Sequence, residues 1–146
     1  MSVKRGITLY SAPTPNGFKV AVFLEELKSV YDFDYEVRPV NVAKGEQKDP
    51  WFIAINPNGR IPAIVDHSRN DFVVFETAAI LIYLQQHYDT ENKFGWDPKE
   101  NPDKYSEMLQ WIFFARWCEN TLSRDAWEVA GNVGRVGDTT SLYRVG

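Results

Sequence analysis

NPNGRIPAIVD, residues 56–66, runs from a turn into an apolar segment with a proline standing where a strand would begin. Pro62 has no N–H to give to a sheet ladder, so its position calls for an explanation. A cis Ile61–Pro62 bond would turn the Ile61 backbone outward, where it could pair with an extended peptide as another strand would. A proline that merely opens a strand is the ordinary alternative, and this stretch alone leaves both open. Downstream, the apolar runs IPAIVD (61–66) and DFVVF (71–75) are joined by the polar HSRN, the pattern of a hairpin. ETAAILIYLQQHY (76–88) then reads as a helix with Thr77 as its N-cap.

Upstream, GITLY (6–10) is a short strand rich in β-formers, and GFKVAVFLEELK (17–28) sets Val20, Phe23, Leu24 and Leu27 on one helical face. YDFDYEVRPVNV (31–42) reads as a second strand that Pro39 pushes to a sheet edge or brings to its end. EQKDPWFIAIN (46–56) is a brief, proline-interrupted helical segment closed by the NPNGR turn. The order is β-α-β followed by α-β-β-α (βαβαββα), one compact α/β unit ending near Tyr88. Residues 89–102 (DTENKFGWDPKENP) are charged and rich in turn formers, which predicts a linker. After it Asn101 caps a second helical region, Pro102 takes its first position, and Tyr105, Met108, Leu109, Ile112 and Phe113 line one face. Beyond about Trp117 the period decays into AGNVGRVGDTTSLYRVG, with four glycines. The predicted division is 1–88, a linker at 89–102, and 103–146 as the start of an all-α domain with an atypical tail.

Bulk composition narrows the function classes. The 146 residues carry 16 Lys and Arg against 20 Asp and Glu, a net charge of -4, with the cations scattered. No basic stripe is available for nucleic acid, which is not expected as a partner. The longest strongly apolar stretch, AAILIYL, is far short of a membrane span, and no leader pattern opens the chain, so a cytoplasmic protein without a membrane partner is expected. Cys118 is the one cysteine, and with two histidines the chain offers no evident metal set. Any thiol chemistry needs a thiol brought from outside.

The first strand hands over to the first helix through YSAPTPNGFKV (10–20). Thr14 before Pro15 is a helix start, N-cap then N1, which leaves the N–H groups of Asn16 and Gly17 directed outward at the positive end of the helix dipole. That spot either favours an anion or is only a capped helix. Glu76 and Thr77 carry the same ambiguity: a carboxylate for an ammonium beside a helix N-terminus for a carboxylate, or a common cap. Taken together and in order, an anion site, a peptide-pairing edge and an amino-acid clamp describe a receptor for glutathione.

The strand, SAPTPNGFKV, NPNGRIPAIVDH, FETAAILIYLQQHY and LQWIFF together resemble the thioredoxin-fold half of a glutathione transferase over residues 6 to about 114. The similarity is greatest to the Nu class and to the fungal transferases like the yeast nitrogen-regulation prion protein. This resemblance implies an α/β thioredoxin-like N-terminal domain followed by an incomplete all-α domain, and a homodimer. It implies that Asn16, helped by Thr14, faces the glutathione sulfur. Ile61, before Pro62, would pair with the cysteinyl backbone, Glu76 and Thr77 would hold the γ-glutamyl end with Arg60 nearby, and Gln47 would approach the glycyl end. Glutathione is then a co-substrate, no metal is required, and the second substrate is an electrophile, a peroxide or a disulfide. Relatives usually have Ser after the Glu, so Thr77 is a mild departure. The larger one is downstream, where ARWCENTLSRDAWEV replaces the family's Gly-, Met- and Gln-containing segment and suggests a truncated form. Tyr10 is a rival thiol donor, as in other transferase classes. A non-catalytic regulatory module is the competing function, while a glutaredoxin-like oxidoreductase would need a Cys in the opening turn, which has none.

Overall fold

A computed structural model describes residues 6–115 of the chain. Four strands, β1 (Ile7–Ser11), β2 (Tyr35–Pro39), β3 (Ala63–Asp66) and β4 (Phe72–Phe75), form one sheet in the order β2-β1-β3-β4. β1 pairs in parallel with β2, with Ile7 opposite Tyr35, and antiparallel with β3, with Ile7 opposite Asp66. β3 and β4 form the expected hairpin, Ala63 opposite Phe75. The parallel β1–β2 pair requires a crossover, and α1 (Pro15–Val30) supplies it. Short α2 (Pro50–Ile53) and longer α3 (Thr77–Tyr88) complete the thioredoxin-like unit.

Strand alternation sorts the core into two faces. Ile7, Leu9 and Ile64 point to one side and pack with Val20, Leu24 and Leu27 of α1 and with Ile80 and Leu84 of α3. Tyr10, Ala63 and Val65 point to the other, where they meet Val40 and Phe52 of α2. β1 is buried along its whole length because it is central and covered on both faces. The expected helical face of Val20, Leu24 and Leu27 is fully buried, with Phe23 at its margin. The second strand is shorter than 31–42. Tyr31 closes α1 through its N–H to the Leu27 carbonyl, and Val42 already belongs to a 3-10 turn, Val42–Lys44. Pro39 ends β2 on the sheet edge, as its missing N–H demands.

Two buried carboxylates fix the elements to each other. Asp66 is fully buried at the end of β3 and accepts four hydrogen bonds: the Ser68 N–H at 3.0 Å, the Ser68 hydroxyl at 2.6 Å, and the phenols of Tyr83 at 2.7 Å and Tyr88 at 2.6 Å. Burial pushes its carboxyl upward, but the bonds from Ser68, Tyr88 and Tyr83 outweigh that and leave it below the usual Asp range. Burial, then the bond to Asp66, raises the Tyr88 phenol to about 12. Asp89, 3% exposed, takes the Tyr31 phenol at 2.5 Å and the N–H groups of Lys93 and Phe94 at 2.8 Å. Residues 89–95 are therefore tied down, with Phe94 edge-on to Phe23 at 5.9 Å.

The first compact unit ends at Met108 and a second begins at Leu109. Residues 102–115 are helical, following Pro102 as expected. Tyr105, Met108, Leu109 and Ile112 are partly buried, whereas Phe113 is 52% exposed and so leaves the expected stripe. Within the second unit Trp111 and Phe114 meet edge-on at 5.8 Å, both exposed. Trp117, Cys118 and the tail lie outside the described residues. Among the described residues no helix is long and apolar enough to cross a membrane.

Asp66→Ala, which leaves two phenols, the Ser68 hydroxyl and an N–H without their acceptor, should cost about 3 kcal/mol or more in denaturant unfolding. Because the folded-state Asp66 carboxyl titrates below its unfolded value of about 3.9, its contribution is present above that pH and is lost as the pH falls through the lower folded value. Unfolding measured from neutral pH downward should show an acid loss of stability that Asp66→Asn makes shallower.

Candidate functional site

The backbone at the end of β1 turns sharply, the Thr14 N–H reaching the Ala12 carbonyl at 2.7 Å. Thr14 then caps α1: its φ of -133° and ψ of 158° are extended, and its Oγ1 accepts the Gly17 N–H at 3.2 Å, with Pro15 in the first turn. The cap expected from Thr14–Pro15 is present. However, the Gly17 N–H is not directed outward for an anion, because Thr14 itself uses it. Asn16 is exposed on this first turn, and its Oδ1 lies 3.4 Å from the Thr77 hydroxyl. Residues 61 positions apart are thus brought side by side at the same end of the sheet.

Thr77 does not cap α3. The N-cap is Glu76, without a side-chain capping bond, and Thr77 is the first helical residue. Glu76 adopts φ 71° and ψ 121°, so the chain leaves β4 through a left-handed residue rather than through the extended Thr that the sequence pattern suggests. The Thr77 hydroxyl is consequently available to Asn16 instead of to its own helix. A positive φ at a non-glycine residue costs on the order of 1 kcal/mol or more and clusters at functional sites.

The third segment is the 56–62 turn. Asn56, 2% exposed, bonds it from within: its Nδ2 donates to the Arg60 carbonyl at 2.6 Å and its Oδ1 accepts the Asn58 N–H at 3.0 Å. Gly59 has φ 58° and donates to the Asn56 carbonyl at 2.8 Å. The Ile61–Pro62 bond is cis, Pro62 is buried, and Ile61 stands just before β3. Asn58 donates through Nδ2 to Glu76 Oε1 at 3.4 Å. Gln47 lies in the neighbouring 3-10 turn Glu46–Lys48; its Oε1 is buried without a hydrogen-bond partner, and Lys48 Nζ donates to the Asn58 carbonyl at 3.1 Å. Arg60 is exposed.

The structure therefore joins Asn16 to Thr77 and Glu76 to the 56–60 turn, and sets Gln47 behind that turn. Tyr10 goes elsewhere. It is 8% exposed in the α2-side core, 6.1 Å from the Trp51 ring and 6.4 Å from Phe52, with the Arg38 guanidinium 5.5 Å over its ring. That is the position of a packing residue. Asn56 and Asn58 escaped the sequence reading, which took from NPNGR a turn and Arg60; two asparagines flanking a proline were the available signal. Among the described residues no group of three His, Cys, Asp or Glu could hold a metal ion.

Comparison with known proteins gives a consistent result. The profile described as Glutathione S-transferase, N-terminal domain, matches residues 5–86. Glutathione S-transferase 1 of Schizosaccharomyces pombe is 47% identical over 108 residues, covering 73% of this chain and 44% of the relative. Disulfide-bond oxidoreductase YfcG of Escherichia coli is 42% identical over 112 residues, 74% of this chain and 47% of the relative. The crystal structure of glutathione transferase URE2P8 from Phanerochaete chrysosporium with oxidized glutathione superimposes with a TM-score of 0.69 at 41% identity, covering 78% of this chain and 49% of that one. The chain thus spans about half the length of the relatives it matches.

A Cβ at Gly59 would stand 2.8 Å from the Gln47 carbonyl oxygen and 2.9 Å from Lys48 Cδ, on a backbone at positive φ. Gly59→Ala should therefore destabilise the fold by about 1–3 kcal/mol, read as a lowered thermal midpoint.

Proposed function

Since this chain belongs to the glutathione S-transferase family through its N-terminal domain, we propose that it binds glutathione and activates its thiol for reduction of a disulfide or a peroxide, or for conjugation to an electrophile. The observation that carries this reading is the convergence of Asn16, Thr77, Glu76 and the 56–60 turn at one end of the sheet, linked by the Asn16–Thr77 and Asn58–Glu76 bonds. In this assignment Asn16, with Thr14 holding the turn beneath it, donates to the sulfur. The Ile61 backbone before Pro62 pairs with the cysteinyl residue, Glu76 and Thr77 take the γ-glutamyl end with Arg60 beside them, and Gln47 serves the glycyl end. Residues 1–88 are then the glutathione-binding domain, 89–102 a linker, and 103–146 the start of the helical domain.

A thiol of pKa about 8.5 is only a few per cent ionised at neutral pH, so the enzyme's task is to stabilise the anion. A side-chain amide donor at the N-terminus of α1 does this, and each unit by which it lowers the thiol corresponds to about 1.4 kcal/mol. The thiolate then attacks one sulfur of a disulfide. A new S–S bond forms to glutathione as the old one breaks, glutathione is oxidised, and the departing thiolate takes up a proton. Disulfide reduction is favoured among the three reactions because one relative is named a disulfide-bond oxidoreductase and a solved neighbour carries oxidized glutathione. The chain is proposed to act in the cytoplasm as a homodimer. Trp111, Phe113 and Phe114 are each more than half exposed, and so much aromatic surface is seldom left wet on a monomer.

Asn16→Ala should reduce turnover and thiolate formation more than glutathione affinity, because its bond strengthens as charge develops on sulfur. Kinetics and ultraviolet thiolate absorbance would report it; an unaffected Asn16→Ala beside an inactive Tyr10→Phe would transfer the role. Glu76→Ala should weaken glutathione binding by roughly 1–3 kcal/mol in isothermal titration. In sedimentation the chain should be a dimer or larger at micromolar concentration, and a clean monomer with full reductase activity would refute the association.

A further inference from the structure

We propose that Asn58 is a positioning residue that gives the site its selectivity for a free α-amino group, by holding the Glu76 carboxylate in the orientation that receives the ammonium. The inference rests on the glutathione reading above and adds to it a residue that the reading does not contain.

Asn58 is fixed at three points. Its N–H donates to the Asn56 side chain at 3.0 Å, its carbonyl accepts the Lys48 ammonium at 3.1 Å, and its side-chain amide donates to Glu76 Oε1 at 3.4 Å. With N–H and C=O both engaged, the peptide planes on either side of Asn58 are set before its side chain is considered. Asn56 is itself buried and closes the turn onto the Arg60 carbonyl, so the support is rigid. From that turn the side-chain amide reaches the carboxylate of a residue 18 positions later.

The chemistry of the pair is one-directional. An ionised carboxylate only accepts, so Asn58 must present its NH2 group to Glu76. A Glu side chain has three rotatable bonds and can point its carboxylate in many directions, whereas an ammonium contact requires one. An amide narrows that freedom and adds no charge. A Lys or Arg in place of Asn58 would orient the same carboxylate while repelling the ligand's ammonium. Glu76 in turn follows β4 at φ 71°, and its carboxylate meets the 56–60 turn at Asn58. The asparagine and the left-handed glutamate are thus two halves of one arrangement.

The test is isothermal titration of the full chain with glutathione and with the analogue in which hydrogen replaces the α-amino group, glutaryl-cysteinyl-glycine. The wild-type chain should prefer glutathione by about tenfold, the usual worth of one charge-assisted contact. Asn58→Ala should cut glutathione affinity by about the same factor and leave the analogue's affinity unchanged, so that the preference collapses. Asn58→Gln, which keeps an amide donor, should restore part of the preference. Equal weakening of both ligands in Asn58→Ala and Asn58→Gln would assign Asn58 a merely structural role and overturn the proposal, as would an unchanged preference in both variants. A wild-type chain that binds both ligands with equal affinity would overturn it while leaving glutathione recognition in place. A wild-type chain that binds neither would overturn the glutathione reading itself and this proposal with it.

Discussion

The side-chain amide of Asn56, 2% exposed, is the interaction from which the site is built. A buried amide left unpaired would be costly, and this one spends both of its ends on the backbone of its own turn, at the Arg60 carbonyl and the Asn58 N–H. The consequence is a turn whose shape is determined from inside the protein rather than by solvent-exposed contacts. Everything that the turn presents follows from it: the direction of Asn58, the approach of Gly59 to the 3-10 turn around Gln47, and the entry of the chain into β3 at Pro62. The sheet then carries this placement to β1 and β4, whose ends deliver Asn16 and Glu76 to the same place.

Much of this was legible in the sequence, for identifiable reasons. The β-formers of GITLY, the continuous apolar run of IPAIVD and the apolar spacing of Val20, Leu24 and Leu27 specify the sheet and α1, because strands covered on both faces read as unbroken apolar runs. Thr14–Pro15 was readable as a cap because proline fixes its own φ and the hydroxyl has only one nearby task. The start of α3 was not. A Thr before an apolar helical run is a common N-cap, and nothing in the sequence announces that the residue before it takes a positive φ. The same limit explains Gly17, whose N–H was counted as outward-facing although the cap inferred from Thr14 already claimed it.

The polar contacts that fix the fold were the least legible part. Asp66 and Asp89 look like ordinary surface aspartates in the sequence, yet each is buried and accepts three or four hydrogen bonds. Their partners lie up to 58 residues away, a separation that periodicity does not register. Asn58 was hidden in the same manner, since a turn asparagine is explained locally and its contact with Glu76 exists only once β3 and β4 have paired.

Tyr83 and Tyr88 reach the same oxygen of Asp66 from places more than one helical turn apart on α3. Two donors converging on one acceptor from different heights along a cylinder act as a vernier: a shift of the helix along its axis, or a rotation about it, that lengthens neither bond is hard to find. α3 is therefore indexed against the sheet at its C-terminal end. Its other end, 12 residues long in all, bears Thr77 and adjoins Glu76. Motion of those two residues relative to Asn16 and Asn58 is then confined to bending or to unwinding of the first turn, because sliding of the whole rod is blocked at the far end. Thr77 and Glu76 can therefore flex toward Asn16 and Asn58, but they cannot travel along the axis of α3.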